Sequence, residues 1–198
     1  MSTPLTRRSV LATCAVVGLG GCGAATSDPT ARPPVAGDSA PPPVKSAGRA
    51  ATPIHLVIPG IGVDTRLVRL GQNDDGTVEV PTAPETAGWF ELGTVPGRRG
   101  SAVILGHVDS VDGPAVFAGL SSLRSTDRVR VVLSDDGLVE FEVIGVETYA
   151  NADFPAQRVY AGSRRVRALN LVTCGGEYDG ERGGYQSNVV VFTRRVRA

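Results

Sequence analysis

Acyl transfer needs a nucleophile, a proton carrier and something to steady a developing oxyanion, and this sequence holds few residues that can serve. A thiolate attacks carbonyls, an imidazole holds or hands over the proton, and a guanidinium forks two donors toward oxygen while staying charged. Cysteine occurs only at positions 14, 22 and 174, and histidine only at 55 and 107. Cys174 follows the strand-like run Leu169-Asn170-Leu171-Val172-Thr173 and precedes Gly175-Gly176. His107 closes Ala102-Val103-Ile104-Leu105-Gly106 and opens Val108-Asp109-Ser110. Both therefore stand at a strand-to-loop junction, where side chains meet solvent. A packing role for Cys174 stays open beside the nucleophilic one, because a free cysteine also behaves as a small hydrophobe. His55 lies inside the first apolar run and reads as structural. Asp109 can either share a face with His107 and orient its ring or cap a turn. Among the guanidinium candidates are Arg182, in the loop Glu177–Gly184, and the strand-flanking Arg165 and Arg167, whereas Arg194 and Arg195 lie beyond the last apolar run and are expected in solvent. Two histidines and one available thiol do not give metal-ligand spacing, so neither a metal nor a cofactor is expected.

The other two cysteines belong to the N-terminal address. Arg7-Arg8 precede an apolar stretch from Ser9 to Gly21, too short to span a bilayer and shaped as an export signal. Thr6-Arg7-Arg8-Ser9-Val10-Leu11 resembles a twin-arginine signal. Leu19-Gly20-Gly21-Cys22 resembles a lipobox, which makes Cys22 the expected lipidation site and places residues 1–22 outside the fold. From Gly23 to Ala51 the chain is rich in Pro, Ala, Ser and Gly, a composition that cannot bury enough surface to offset chain entropy and is expected to form a semi-extended tether. The folded domain is expected over residues 52–198, and an extracytoplasmic, lipid-anchored location follows.

These candidates must be positioned by short strands. Apolar runs stop at turn residues: Ile54–Ile58 at Pro59-Gly60, Ala102–Leu105 at Gly106, and Val129–Leu133 at Asp135-Asp136-Gly137. Val129–Leu133 and Leu138–Val143 read as a hairpin around Asp136-Gly137, with further strands at Ala168–Thr173 and Asn188–Thr193. A short helix is expected over Ala115–Leu123, where Val116, Leu120 and Leu123 recur at helical spacing. The sum is an all-β domain, a mostly antiparallel barrel or sandwich. With Lys+Arg 20 and Asp+Glu 20 the formal net charge is zero, which removes the global electrostatic case for a nucleic-acid partner.

Gly106-His107-Val108-Asp109-Ser110 followed by Gly113-Pro114-Ala115-Val116-Phe117, together with Leu171-Val172-Thr173-Cys174-Gly175-Gly176, Tyr178-Asp179 and Tyr185 to Phe192, resembles the class F sortases of actinobacteria. The resemblance runs from about Pro53 to Thr193 and includes Ile58–Asp64 and Gly88-Trp89-Phe90. It implies a closed eight-stranded β-barrel and a cysteine transpeptidase that cleaves a C-terminal sorting signal through an acyl thioester, then transfers it to an amine of the cell wall. Carried over by position, Cys174 is the nucleophile, His107 the acid/base, and Thr173 a contributor to the oxyanion site. Relatives carry an arginine where this chain reads Tyr185-Gln186-Ser187-Asn188, so the expected position holds Gln186, and Arg182 from the preceding loop is the replacement favoured here. Partners implied are proteins bearing a sorting signal, a cell-wall amine and the membrane; a monomer is expected. A non-catalytic envelope lipoprotein using the same barrel to bind peptides is the alternative. A wall enzyme of the L,D-transpeptidase type fits less well, since its histidine and cysteine lie close together in sequence.

Overall fold

A computed structural model describes residues 51–196. The export segment with Cys22, and residues 23–50 of the tether, lie outside the described residues. Among those described, no helix is long and apolar enough to cross a membrane.

Ten strands form: β1 (Pro53–Ile58), β2 (Val63–Leu70), β3 (Ala87–Phe90), β4 (Gly100–Leu105), β5 (Asp109–Ser110), β6 (Gly113–Pro114), β7 (Arg128–Leu133), β8 (Leu138–Ala150), β9 (Arg167–Asp179) and β10 (Gly184–Arg195). Eight close into a barrel in the order β1-β2-β3-β4-β9-β10-β8-β7, while β5 and β6 make a separate hairpin. Closure leaves no barrel strand without a neighbour on each side, the most complete way to remove unpaired edges. Most neighbours are antiparallel, as expected, but β2 runs parallel to β3 and β4 parallel to β9.

Alternation along the strands sorts the apolar residues onto two sides. Leu56, Ile58, Ala102, Ile104, Val129, Val131, Phe141, Leu169, Leu171 and Val191 fill the interior. The intervening residues of β4, β9 and β10, namely Val103, Leu105, Val172, Val190 and Phe192, form a second layer on the outside with Val159. That outer layer is covered by a π-helical turn, Gln157–Ala161, tied to β9 where Asn170 Nδ2 donates to the Val159 carbonyl at 2.7 Å. This explains why Val189–Thr193 reads as buried on both faces.

The hairpin at Asp136-Gly137 forms as expected, with Asp136 in the left-handed region (φ 62°). The helix expected over Ala115–Leu123 does not. Val116 N–H donates to the Pro84 carbonyl and Phe117 N–H to the His107 carbonyl, so these amides leave the local i−4 pattern, and only a 3-10 turn at Leu120–Ser122 remains. Of the residues at that spacing Leu120 and Leu123 are buried and Val116 is half-buried, while the neighbouring Phe117 is fully buried.

Phe141→Ala should cost about 3–5 kcal/mol because the ring is wholly buried and the void cannot collapse inside a closed barrel. Leu138→Ala, on the same strand but solvent-exposed, should stay within about 0.5 kcal/mol. Chemical denaturation of both variants checks the contrast.

Candidate active site

The parallel pairing of β4 with β9 positions the two chemistry-bearing residues. Its last rung is Leu105↔Val172, and Gly106 N–H extends the ladder to the Val172 carbonyl at 3.2 Å. His107 and Cys174 each lie two residues beyond that rung at the same end of the barrel, His107 in the loop that follows β4 and Cys174 within β9, which runs on to Asp179 and so does not end at the cysteine as the sequence suggested. Leu105 and Val172 both belong to the outer layer, and a two-residue step along β9 returns to the same face, so Cys174 falls on the outer face.

The local sequence around His107 follows from packing. A Cβ on Gly106 would lie 2.7 Å from Val116 Cγ1 and 2.8 Å from Phe117 Cδ2, so only glycine lets the Val116-Phe117 turn press against the strand end. Phe117 N–H then donates to the His107 carbonyl at 2.9 Å. The separated blocks Gly106-His107 and Gly113–Phe117 are thus one packed unit. The half-buried His107 ring donates from Nε2 to the Pro81 carbonyl at 2.6 Å, which leaves Nδ1 as the free nitrogen. Pro81, from the loop between β2 and β3, therefore holds the ring, the orienting one of the two roles open to Asp109. Asp109 instead accepts a hydrogen bond from the Tyr185 hydroxyl.

Cys174 is exposed and pairs with Asn188 across the β9–β10 ladder. Two rungs further out, Gly176 (φ 76°) bulges β9, and the ladder resumes at Tyr178↔Tyr185. Tyr178 and Tyr185 meet edge-to-face at 5.2 Å. Asn188 Nδ2 donates to Asn151 Oδ1 at 2.9 Å, and Asn151 Nδ2 to the Tyr185 carbonyl at 2.7 Å, fixing the start of β10 beside the cysteine. Tyr149 of β8 stands opposite Asn188, and the Arg158 guanidinium reaches its hydroxyl at 2.6 Å while pairing with Glu147.

Partial desolvation pushes the Cys174 thiol above its ordinary value, and the negative charge of Asp109 pushes the same way. The thiolate therefore needs help to form. Arg182 does not supply it in this arrangement: it lies at the β9–β10 turn, exposed, with Nε bound to Asp179 and Nη2 4.0 Å from Glu177. Gln186 is half-buried, shares the strand parity of Asn188, and donates from Nε2 to the Gly184 carbonyl at 2.6 Å. Thr173 is buried and alternates to the interior side of β9 with Leu171, and its Oγ1 has no partner. So Cys174 and Gln186 share one face, His107 follows the end of neighbouring β4, Thr173 lies behind that face and Arg182 beyond it. His55 bonds Asp64 between β1 and β2, away from this end. Among the described residues no group of three or more His, Cys, Asp or Glu could hold a metal ion.

Residues 56–196 match the sortase-domain family. The chain belongs to the sortase family. No curated protein matches it. Among solved structures it resembles sortase C-1 of Actinomyces oris (TM-score 0.57, 20% identity, covering 73% of this chain and 72% of that one). Sortase A of Corynebacterium diphtheriae gives TM-score 0.57 at 17% identity, covering 77% of this chain and 64% of that one. A Clostridium perfringens sortase D5 transpeptidase gives 0.56 at 18%, covering 74% and 79%. These likenesses show the sortase barrel. Sortase membership supports a transpeptidase role and a place in the cell envelope.

Tyr185, Asn151, Asn188 and Pro81 are the site residues that sequence reasoning missed. Only Tyr185 and Asn188 lay in a quoted motif, and nothing local marked Pro81. Replacing Asp109 by Asn removes the nearby negative charge and should move the Cys174 titration to lower pH. Desolvation, the larger cause, persists, so the shift should be partial. The pH dependence of iodoacetamide alkylation reads it directly.

Proposed function

We propose that this sortase is a class F type cysteine transpeptidase of the cell envelope, with Cys174 as nucleophile and His107 as acid/base. The observation that carries this reading is the shared rung: His107 and Cys174 each stand two residues beyond Leu105↔Val172 at one end of the barrel. The Cys174 thiolate attacks the backbone carbonyl of a C-terminal sorting signal, forming the C–S bond. As the C–N bond breaks, the imidazolium of His107 gives its proton to the leaving amine. An incoming neutral amine of the wall then attacks the thioester carbonyl, the C–S bond breaks, and the amine's proton passes to His107.

The oxyanion donor is assigned to Arg182. Its ion pair with Asp179 is solvent-exposed, where water screens it and leaves it little net worth, so exchanging Asp179 for a substrate oxygen costs little. Gln186 is the neutral competitor for that role. The Thr173 side chain faces inward, so any contribution it makes comes through its backbone. Membrane attachment through lipid on Cys22, a monomeric state, and the 1–22, 23–51 and 52–198 division are part of the same proposal.

A second reading, a peptide-binding barrel without turnover, draws on the raised thiol and on Gln186. Incubation with a panel of sorting-signal peptides separates the two. The transpeptidase should give a mass adduct on Cys174 and, with an amine present, a ligated product, and Cys174→Ala should abolish both. Peptide affinity that persists in Cys174→Ala, with no adduct in the parent protein, would establish the binder instead.

Arg182→Ala should slow peptide cleavage by about 10²- to 10³-fold, the usual loss for one oxyanion donor, and Gln186→Ala by under about tenfold. The opposite ranking in single-turnover rates would transfer the role to Gln186.

A further inference from the structure

The neutral total charge conceals a local cluster of arginines. At the end of the barrel opposite Cys174, a pocket of about 1000 Å³ is lined by Arg99, Arg165, Arg167, Arg194 and Arg195, with Glu142 as its one acidic residue. Glu142 is already engaged, with Arg194 at 2.9 Å and Arg128 at 3.5 Å. Arg167 and Arg195 both donate to a single carbonyl, that of Gly97, at 2.8 and 3.2 Å. Two guanidinium groups are thereby held side by side. Among the described residues neither has a carboxylate partner, and neither do Arg99 and Arg165. Guanidinium groups stay charged at every relevant pH, so this convergence is repulsive until an anion enters. Their planar forks match the oxygens of a phosphate.

Where the chain enters the barrel points to the source of that phosphate. β4 and β9 run toward Cys174, so their first residues, next to Arg99 and Arg165, mark the far end. β10 runs antiparallel to β9 and finishes there with Arg194 and Arg195. Following the ladder β4-β3-β2-β1 places Pro53, the first residue of β1, at the same end. The segment ahead of Pro53 contains Cys22, the lipidation site expected from the sequence. Acidic residues stand at both ends, Asp109 beside Cys174 with Glu177, Asp179 and Glu181 about the β9–β10 turn, and Asp135 and Asp136 in the β7–β8 turn near Pro53, so the excess of positive charge is local to the pocket.

We propose that the arginine-lined end of the barrel is a docking face for an anionic phospholipid surface, its pocket receiving headgroup phosphates and directing Cys174 away from the bilayer. This rests on the barrel's charge and topology and stands apart from the catalytic assignment.

The test is co-sedimentation of the full chain with phosphatidylglycerol-containing vesicles and with pure phosphatidylcholine vesicles. The apolar N-terminal stretch contributes to both, so the difference isolates the charged face. Binding should favour the anionic vesicles and fall with added salt. Arg165→Gln/Arg167→Gln/Arg195→Gln should weaken it by about fivefold per charge removed. The lysine triple variant, which keeps the charge, should retain most of it and guards against a loss of folding. Arg66→Gln, on β2 away from the pocket, should have no effect. Equal binding to both vesicle types, or a glutamine triple variant that folds and binds like the parent, would overturn the proposal. So would tighter capture of a soluble glycerophosphate polymer than of the vesicles, since the face would then serve a polymer.

Discussion

Everything at the reactive end depends on one pairing, the parallel ladder between β4 and β9. A parallel pair requires a long crossover, here the chain from Gly106 to Val166, and that crossover supplies β7, β8 and the turn that covers the outer layer. Parallel register also means that both strands finish at the same end. Had β4 and β9 been antiparallel, a residue just past the end of one would face the beginning of the other, and His107 would stand a barrel's length from Cys174. Gly106, which admits Val116 and Phe117 against the strand end, and the Pro81 carbonyl, which anchors the imidazole, refine a placement that the ladder has already made.

Electrostatics near the cysteine run against easy ionisation. Desolvation and the Asp109 carboxylate both favour the protonated thiol, and Asp109 is held in place by Tyr185 from the neighbouring β10. A thiol kept protonated is less exposed to adventitious oxidation, which matters for an unpaired cysteine in an oxidising compartment.

Much of the barrel was legible because its strands obey a simple code: apolar runs ending at Gly, Pro and Asp. Ile54–Ile58, Ala102–Leu105 and the hairpin at Asp136-Gly137 all read correctly on that basis. β2 did not, because its buried Val63 and Leu70 are separated by Asp64, Arg66 and Arg69, which blur the pattern. β9 and β10 extend well past their apolar cores through Gly175, Gly176, Tyr178 and Tyr185, held there by pairing with each other and not by intrinsic preference. The turn at Ala115–Leu123 carries a helical spacing of apolar residues, yet its amides bond to Pro84 and His107, partners that no local window contains. The thiol and imidazole were visible as isolated candidates, but contacts such as Tyr185 to Asp109 and His107 to Pro81 join residues too far apart in sequence for any periodicity to reveal.

One feature of the topology bears on how the molecule can be rebuilt. β1 begins and β10 finishes at the same end of the barrel, so the two points where polypeptide enters and leaves are on a common rim, remote from Cys174. An added partner, a solid support or a replacement anchor joined next to Pro53 or Arg195 would thus sit at that rim, on the side away from the sulfur.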